Sequence, residues 1–175
     1  MKLALVVAAA LAITPAAFAE QAGKVIDQKD VSEDALVNLL TPAPRTRSIK
    51  VTRDGKPEQT PPPSASLLIT FETNSAKLTP AAQKSLEVVA RALKNEKLND
   101  FKFAVEGHAD PRGNADANLK LSQQRAESVA AFLAGEQKID TARLKPVGKG
   151  QAELMNVSNP AAPENRRVTI KTLTN

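Results

Sequence analysis

The stretch FKFAVEGHADPRGNADANLKLSQQRA, residues 101–126, joins a strand pattern to a helix pattern through a polar loop. Apolar and polar residues alternate over residues 101–106, which is typical of a strand with one face on the core. A helix is predicted from about Ala115 to Ala134, ended by Gly135. Its apolar stripe is predicted to consist of Leu119, Ala126, Val129, Ala130 and Leu133. A strand followed directly by a helix indicates an α/β domain.

Further elements of the same kind lie on both sides of this stretch. Upstream, residues 66–71 predict a strand, and residues 79–80 begin a helix with threonine as N-cap and proline at the first position. The apolar stripe of that helix is predicted to consist of Leu86, Val89, Ala90 and Leu93. Downstream, residues 143–147 predict a weaker strand and residues 167–172 a final, alternating one. The order β-α-β-α-β-β predicts a two-layer α/β sandwich over residues 65–175, with the helices packed on one mixed sheet.

The N-terminus has the pattern of a secretory signal peptide. Lys2 precedes an apolar run over residues 3–13, and Ala17 and Ala19 supply the small residues of a cleavage site. Residues 1–19 are therefore predicted to be removed as a signal peptide. The alternative, a membrane anchor, is less favoured because the run is shorter than the ~20 residues of a membrane span. No other stretch is long and apolar enough, so the mature chain is predicted to lack a transmembrane segment.

The composition excludes several kinds of site. The chain has no cysteine, which excludes disulfides, catalytic thiols and a lipid-modified N-terminal cysteine. Its one histidine, His108, supplies too few ligands for a zinc site and is expected to be a structural residue bonded within its loop. We therefore predict neither a metal nor a cofactor. The formal net charge of +5 suits polyanions, but export makes nucleic acid the least favoured partner, and a mild positive charge also aids solubility.

Residues 20–64 differ from the domain that follows. Residues 31–40 predict a short helix with Ser32 as its N-cap. Residues 41–64 are rich in proline and poor in apolar residues, which predicts a semi-extended linker. The short helix is either a docking peptide or a loosely attached flap, and the sequence does not choose between them.

Three loops and one helix face contain the polar residues that can recognise a ligand. Residues 71–75 and 106–113 leave the C-terminal ends of predicted strands, where ligands of α/β sheets tend to bind. The third loop, residues 164–167, enters the last strand. Three polar residues at positions i, i+4 and i+7 share one face of the second helix: Asn118, Ser122 and Arg125. A ligand site is therefore predicted at one edge of the sheet.

Four separated motifs, in this order, resemble the OmpA-like peptidoglycan-binding domain family. They are FETNS at residues 71–75, GHxDxxG at 107–113, NxxLSxxRA at 118–126 and NRRV at 165–168. The resemblance covers residues 66–173 and implies an OmpA-like sandwich that binds peptidoglycan in the periplasm without catalysis. Association with the outer membrane or the cell wall is left open. Ala109 departs from the family pattern, which usually has threonine at this position.

The resemblance also implies the ligand and the residues that bind it. The family equivalents of Asp110 and Arg125 hold meso-diaminopimelate in the stem peptide of the wall. Asp110 would accept hydrogen bonds from the ammonium of this ligand, and Arg125 would grip its carboxylate. Asn74, Asn118 and Arg166 match family positions that line the same pocket.

Less specific roles remain for these residues. Asp110 precedes a proline and can be a turn residue, and Arg125 can be a solvated helix residue or a structural ion-pair partner of Asp110. Arg166 and Arg167 alternate along a strand, so only one of them can face the pocket, and the motif assigns Arg166. Arg167 is expected to face outward or to pair with Glu164.

Two other classes of function are weighed against wall binding. An envelope interaction or scaffold protein would recruit a partner protein through residues 25–64. A wall hydrolase would need a catalytic group such as a carboxylate pair, for which Glu72, Glu106 and Asp110 are candidates. Glu106 lies on an alternating strand beside Lys102 and is expected to be exposed. Because no Ser-His-Asp arrangement is recognisable either, the chain is predicted not to be an enzyme.

Overall fold

The computed structural model of the protein describes residues 25–43, 61–72 and 75–174. The predicted signal peptide, most of the predicted linker and Asn74 lie outside these residues and stay predictions. Within the described ranges, no helix combines the length and the apolar character that crossing a bilayer requires.

The described residues form five strands and three α-helices. In chain order they are β1 (Val25–Ile26), α1 (Glu33–Leu40), β2 (Ser64–Leu67), α2 (Pro80–Leu93), β3 (Lys102–His108), α3 (Ala115–Gly135), β4 (Leu144–Gly150) and β5 (Val168–Leu173). The strand order in the sheet is β1-β2-β5-β3-β4. β1 runs parallel to β2 and β3 parallel to β4, whereas β5 is antiparallel to both β2 and β3. The predicted fold class, helices on one mixed sheet, is confirmed.

The core lies between the helices and one face of the sheet. Thr79 caps α2 as predicted, because its hydroxyl accepts a hydrogen bond from the Ala82 amide at 3.2 Å. The predicted stripe of α2 is fully buried, and it consists of Leu86, Val89, Ala90 and Leu93. The sheet contributes Phe103, Val105, Val168 and Ile170 to the same cluster. Burial of this aliphatic surface stabilises the fold by about 25 cal/mol for each Å² removed from water.

Two details of the predicted elements are wrong. β2 ends at Leu67 rather than at residue 71, because Leu67 pairs with Val168, where β5 begins, and no strand continues beyond that point. Leu119 was expected in the apolar stripe of α3 but is 49% exposed. A Cβ atom on Gly150 of β4 would lie 3.2 Å from the Leu119 Cα and 3.4 Å from its Cβ, so α3 approaches β4 closely here although half of Leu119 stays exposed.

The N-terminal helix is part of the core. Ser32 caps it as predicted and accepts a hydrogen bond from the Ala35 amide at 3.4 Å. The apolar face of α1 is buried against α2 and the sheet, and it consists of Leu36, Val37 and Leu40. The Thr172 hydroxyl also donates to the Leu40 carbonyl at 2.6 Å. Neither a docking peptide nor a loose flap describes this helix, because its apolar side chains are already covered.

The sheet face opposite the helices is buried as well. Glu106 was expected to be exposed but is only 7% exposed. Glu153 and Met155, from the segment between β4 and β5, line a cavity with Glu106 on this face. The expectation was wrong because strand alternation identifies the polar side chains but cannot show that a distant segment covers them.

Candidate functional site

The predicted site begins at a tight connection between β3 and α3. β3 ends at His108 and α3 starts at Ala115. Gly113 has φ +93°, a left-handed conformation that glycine adopts without steric cost. Asn114 then caps α3, since its side-chain oxygen accepts from two backbone amides at 2.9 and 3.1 Å. The short loop keeps Asp110 near the C-terminal end of β3, as the strand and helix patterns predict.

Asp110 is a buried carboxylate held by two guanidinium groups. Arg112 donates to it from Nη2 at 2.7 Å, from Nε at 3.1 Å and from its backbone amide at 3.1 Å. Arg166 donates from Nη1 at 2.8 Å. The Arg112 hydrogen bonds, followed by that of Arg166, hold the pKa of Asp110 well below its usual range, although burial acts in the opposite direction. Asp110 is therefore ionised at neutral pH.

Arg125 is half-buried on α3 and lies at the same end of the sheet as Asp110. Its Nε donates to the Ser75 carbonyl at 3.2 Å, and its guanidinium carbon lies 4.9 Å from the centre of the Phe71 ring. Burial, and then the charge of Arg166, lower the pKa of Arg125. Among the described residues, no carboxylate forms an ion pair with Arg125. Its charge can therefore be offered to an anionic ligand.

A cavity of about 200 Å³ lies beside Arg125 and Arg166; His108 and Arg167 also line it, whereas Asp110 does not. Phe71, Arg125 and Arg166 contribute to its lining, together with Gly107 at the end of β3. A Cβ atom on Gly107 would lie 2.2 Å from the Ser122 carbonyl oxygen, so glycine allows α3 to approach β3 closely. A larger open cleft of about 680 Å³ beside β1 is lined by none of the predicted site residues.

The other predicted site residues have different positions. Asn118 donates from its amide nitrogen to the backbone carbonyls of Asp110 and Arg112, at 3.0 and 3.1 Å. It therefore holds the loop that carries Asp110 and does not line the cavity. Arg166 contacts Asp110 and lines the cavity as well. Asn74 lies outside the described residues, so its predicted role stays untested.

Arg167 is buried, and it lines both the cavity beside Arg125 and a second cavity on the opposite face of the sheet. Its Nη2 donates to the Glu153 carbonyl at 3.2 Å. Glu164 instead accepts a hydrogen bond from Asn156 at 2.9 Å. Both expectations for Arg167, exposure or a pair with Glu164, were wrong because the segment around Glu153 covers this face.

Three residues of the site edge were missed by the sequence analysis. Arg112 binds Asp110, and its position two residues further along the same loop was a usable signal. Phe71 lies against Arg125, and it opens the FETNS motif. Asn165 opens the NRRV motif and is fully buried; its amide nitrogen donates to three carbonyls between residues 156 and 160. Asn165 therefore holds the loop that precedes Arg166.

The carboxylates considered for a hydrolase each have a cationic partner. Glu72 lies 2.8 Å from Lys77, and Glu106 lies 3.6 Å from Lys149. Asp110 is held by Arg112 and Arg166 as described. Each of these three carboxylates is thus held by a positively charged side chain.

Comparison with known proteins gives consistent matches over this part of the chain. The model of the OmpA family matches residues 70–168. The probable lipoprotein YiaD of Escherichia coli is 38% identical over 104 residues, which are 58% of this chain and 46% of that protein. A peptidoglycan-associated lipoprotein of Pseudomonas aeruginosa is 33% identical over 103 residues, 58% of this chain and 59% of the relative. The chain thus spans about half the length of these curated relatives.

A solved structure shows the same fold. The peptidoglycan-associated lipoprotein from Burkholderia pseudomallei superposes with a TM-score of 0.51 at 24% sequence identity, and the match covers 62% of this chain and 89% of that one. At this identity the likeness supports the fold alone. The architecture built from the sheet order and the helices is therefore one that is found in other solved proteins.

Proposed function

The chain belongs to the OmpA family, and on this premise we propose that it binds peptidoglycan without catalysing a reaction. The proposed ligand group is the meso-diaminopimelate residue of the stem peptide, whose free end carries an ammonium and a carboxylate. Two kinds of support exist: the name of the relative from Pseudomonas aeruginosa, a peptidoglycan-associated lipoprotein, and the charges at the sheet edge.

The observation that carries the proposal is the half-buried Arg125 guanidinium, which has no ion-pair partner among the described residues. Burial of an unpaired charge is unfavourable, so the site gains free energy when an anion arrives. A guanidinium offers parallel N–H donors that match a carboxylate. Phe71 covers one side of Arg125 and limits its orientations, which lowers the entropy lost on binding.

Asp110 is proposed to take the ammonium of the ligand. In the free protein its carboxylate binds Arg112, whose side chain is 65% exposed. A ligand ammonium that replaced Arg112 would keep a positive charge beside the buried carboxylate, and the largely exposed Arg112 side chain would return to water. Arg166 keeps its own hydrogen bond to Asp110. Opposite charges at Asp110 and Arg125 then orient the zwitterionic end of the stem peptide.

The proposed location is the periplasm, reached by way of the predicted signal peptide of residues 1–19. The matched relatives are named lipoproteins, whereas this chain contains no cysteine. A lipid anchor on cysteine is therefore not part of the proposal. Wall binding would itself hold the protein in the cell envelope.

The decisive experiment is an NMR titration of the mature protein with meso-diaminopimelate. We expect saturable shifts of amide signals at Asp110, Arg112 and Arg125. Arg125→Ala should abolish saturation, since it removes the donor for the ligand carboxylate; each charge-assisted contact contributes about 1.5–3 kcal/mol. Arg112→Ala should bind at least as well as the parent, because Asp110 is then free of its exposed partner.

Pull-down with purified sacculi extends the test to the polymer. Arg91→Ala is the matched control, because Arg91 also lies on a helix surface but only in an exposed pair with Glu33 at 3.4 Å. It should bind like the parent, while Arg125→Ala and Asp110→Asn should stay in the supernatant. Equal retention of Arg125→Ala and the parent, with both folded by circular dichroism, would rule out the proposed pocket.

A further inference from the structure

A second group of polar side chains lies on the sheet face opposite the helices. Glu106, His108 and Glu153 each offer one ligand atom, and these three atoms lie within 4.8 Å of one another. The same residues line a cavity of about 190 Å³. His108 also lines the cavity beside Arg125, but neither the relatives' names nor the proposed wall ligand assigns a role to this cluster.

His108 is the least satisfied member of the cluster. It is only 3% exposed, and neither ring nitrogen has a hydrogen-bond partner among the described residues. Burial, and then the charge of Arg167, lower the pKa of His108 to about 4, although the charge of Glu153 and its nearby backbone carbonyl, which does not reach hydrogen-bond geometry, act in the opposite direction. The ring is therefore neutral at pH 7, with one nitrogen lone pair directed to no protein donor. A buried imidazole in this condition is suited to coordinate a metal ion.

The Lys149 ammonium lies between the two carboxylates of this cluster, where a metal ion could take its place. Its ammonium nitrogen lies 2.7 Å from a Glu153 oxygen and 3.6 Å from a Glu106 oxygen. Both carboxylates are thus already arranged around one positive charge, beside the unpartnered imidazole. A metal ion that replaced the ammonium would keep both carboxylate contacts and gain the imidazole nitrogen as a third ligand.

We propose that Glu106, His108 and Glu153 form a binding site for a divalent transition-metal ion such as Zn²⁺, which displaces the Lys149 ammonium. The single histidine offers too few ligands alone, as the sequence indicated, but one imidazole nitrogen and two carboxylate oxygens are ordinary zinc ligands. A water molecule would complete a tetrahedral set. Metal–ligand distances of about 2.0–2.2 Å bring tetrahedral ligand atoms to roughly 3.4 Å from one another. The ligand atoms must therefore move closer together, and Glu153 is free to move because its side chain is 53% exposed.

Positive charges around the cavity limit the affinity of this site. Arg167 and Lys171 also line it, and their charges oppose a cation. The site is therefore expected to bind zinc more weakly than a closed structural zinc site. The inference does not depend on the proposed function, because Asp110 and Arg125 do not belong to the cluster.

His108 is the only histidine of the chain, which makes it a direct probe. In long-range ¹H–¹⁵N spectra of the untagged mature protein at pH 7, ZnCl₂ should shift its ring nitrogens saturably, with one ion per chain. Glu153→Gln should weaken binding by at least about tenfold, since loss of even an outer-shell partner costs about 10–100-fold. Lys149→Met should tighten binding, because the competing ammonium is gone.

Glu136→Gln, at an exposed acid beyond the C-terminal end of α3, is the matched control and should bind zinc like the parent. The absence of any zinc-dependent shift of His108, in both the parent and a folded Lys149→Met variant, would overturn the proposal. Equal affinities of the parent and Glu153→Gln would also overturn it, because the ion would then be held elsewhere.

Discussion

Both faces of the sheet are buried, but one is covered by apolar side chains and the other by polar ones. Successive side chains of β3 and β5 point to opposite faces, as strand geometry requires. On the helix side these strands present Phe103, Val105, Val168 and Ile170. On the other side they and their flanking residues present Glu106, His108, Arg167 and Thr169, all buried. The same strands thus separate an aliphatic core from a buried polar layer.

The difference shows two ways of stabilising a buried surface. Aliphatic burial is non-directional and needs only shape and volume. Polar burial needs a partner for each donor and acceptor, and an unpaired group is costly. In the polar layer Glu106 has Lys149, whereas His108 has no partner among the described residues. We therefore expect the helix side to dominate the free energy of unfolding and the polar side to make it depend on pH.

The largest expected effect is that of Phe103→Ala, which should lower the free energy of unfolding by about 3–5 kcal/mol. Phe103 is fully buried on the helix side, so truncation leaves a cavity between α2, α3 and the sheet. Urea denaturation followed by circular dichroism measures the loss. Val157→Ala, at a side chain 73% exposed, should change the value by no more than about 0.5 kcal/mol. Equal losses for both variants would contradict an aliphatic core on this face.

Leu36→Ala tests whether α1 belongs to the aliphatic side. Leu36 is fully buried against α2 and the sheet, so its truncation should cost about 2–5 kcal/mol. Asn38→Ala, at an exposed position of the same helix, is the control and should be close to neutral. A loss under about 0.5 kcal/mol, typical of a surface position, would mean that α1 is attached loosely.

The polar side should make stability fall between about pH 6.5 and pH 4. The ordinary pKa of histidine is 6.5, and that of His108 in the folded protein is about 4. Between these values the unfolded chain binds the proton and the folded protein does not, so stability falls as pH falls. At about 1.4 kcal/mol for each pH unit the full loss is on the order of 3 kcal/mol.

Urea denaturation of the parent and His108→Gln at several pH values measures this dependence. The variant should have a flatter curve in that window. Asp110 acts at lower pH: its pKa is held below the ordinary value of 3.8, so the stability it provides is present above 3.8 and is lost below it. A curve that His108→Gln leaves unchanged from pH 6.5 to 4 would show that folding does not lower the pKa of His108.

The smallest effect is expected for a single hydrogen bond of the polar layer. The Ser66 and Thr169 hydroxyls lie 2.9 Å apart, and both are buried. Ser66→Ala should lower stability by about 0.5–1.5 kcal/mol. A double-mutant cycle with Thr169→Val isolates the bond, and the double variant should lose less than the sum of the single variants. Strict additivity would show that the two hydroxyls do not interact.

Much of the fold was predictable because its causes are local. The spacing of Leu86, Val89 and Leu93 identified the buried side of α2, and Thr79 before a proline identified its start. Both follow from interactions within a few residues. The end of β2 was not predictable in this way, because it depends on where β5, about a hundred residues later, begins to pair.

The same distinction between local and long-range causes applies to the candidate site. The helical spacing of Asn118 and Arg125 put both residues at the rim near the Asp110 loop, and Asn118 does bond that loop. Arg112 as a second partner of Asp110 was missed, because a loop motif does not show where a long side chain turns. The burial of Arg167 was missed because the segment that covers it lies between β4 and β5 and has no strand or helix periodicity of its own.

By itself, the sequence determined four of the five strands in outline, the three helices, the N-caps of α1 and α2 and the helix side of the sheet, since these follow from periodicity and from short-range hydrogen bonds. It did not predict β1 or the end of β2. Only the tertiary structure decided which charges meet. Asp110 and Arg166 lie 56 residues apart in sequence and 2.8 Å apart in space, and Glu153 joins His108 in the same manner. Which distant polar groups become partners depends on how the chain packs, and the alternating pattern of a strand does not determine that packing. The pocket and the polar layer are therefore products of the fold, although every residue in them is visible in the sequence.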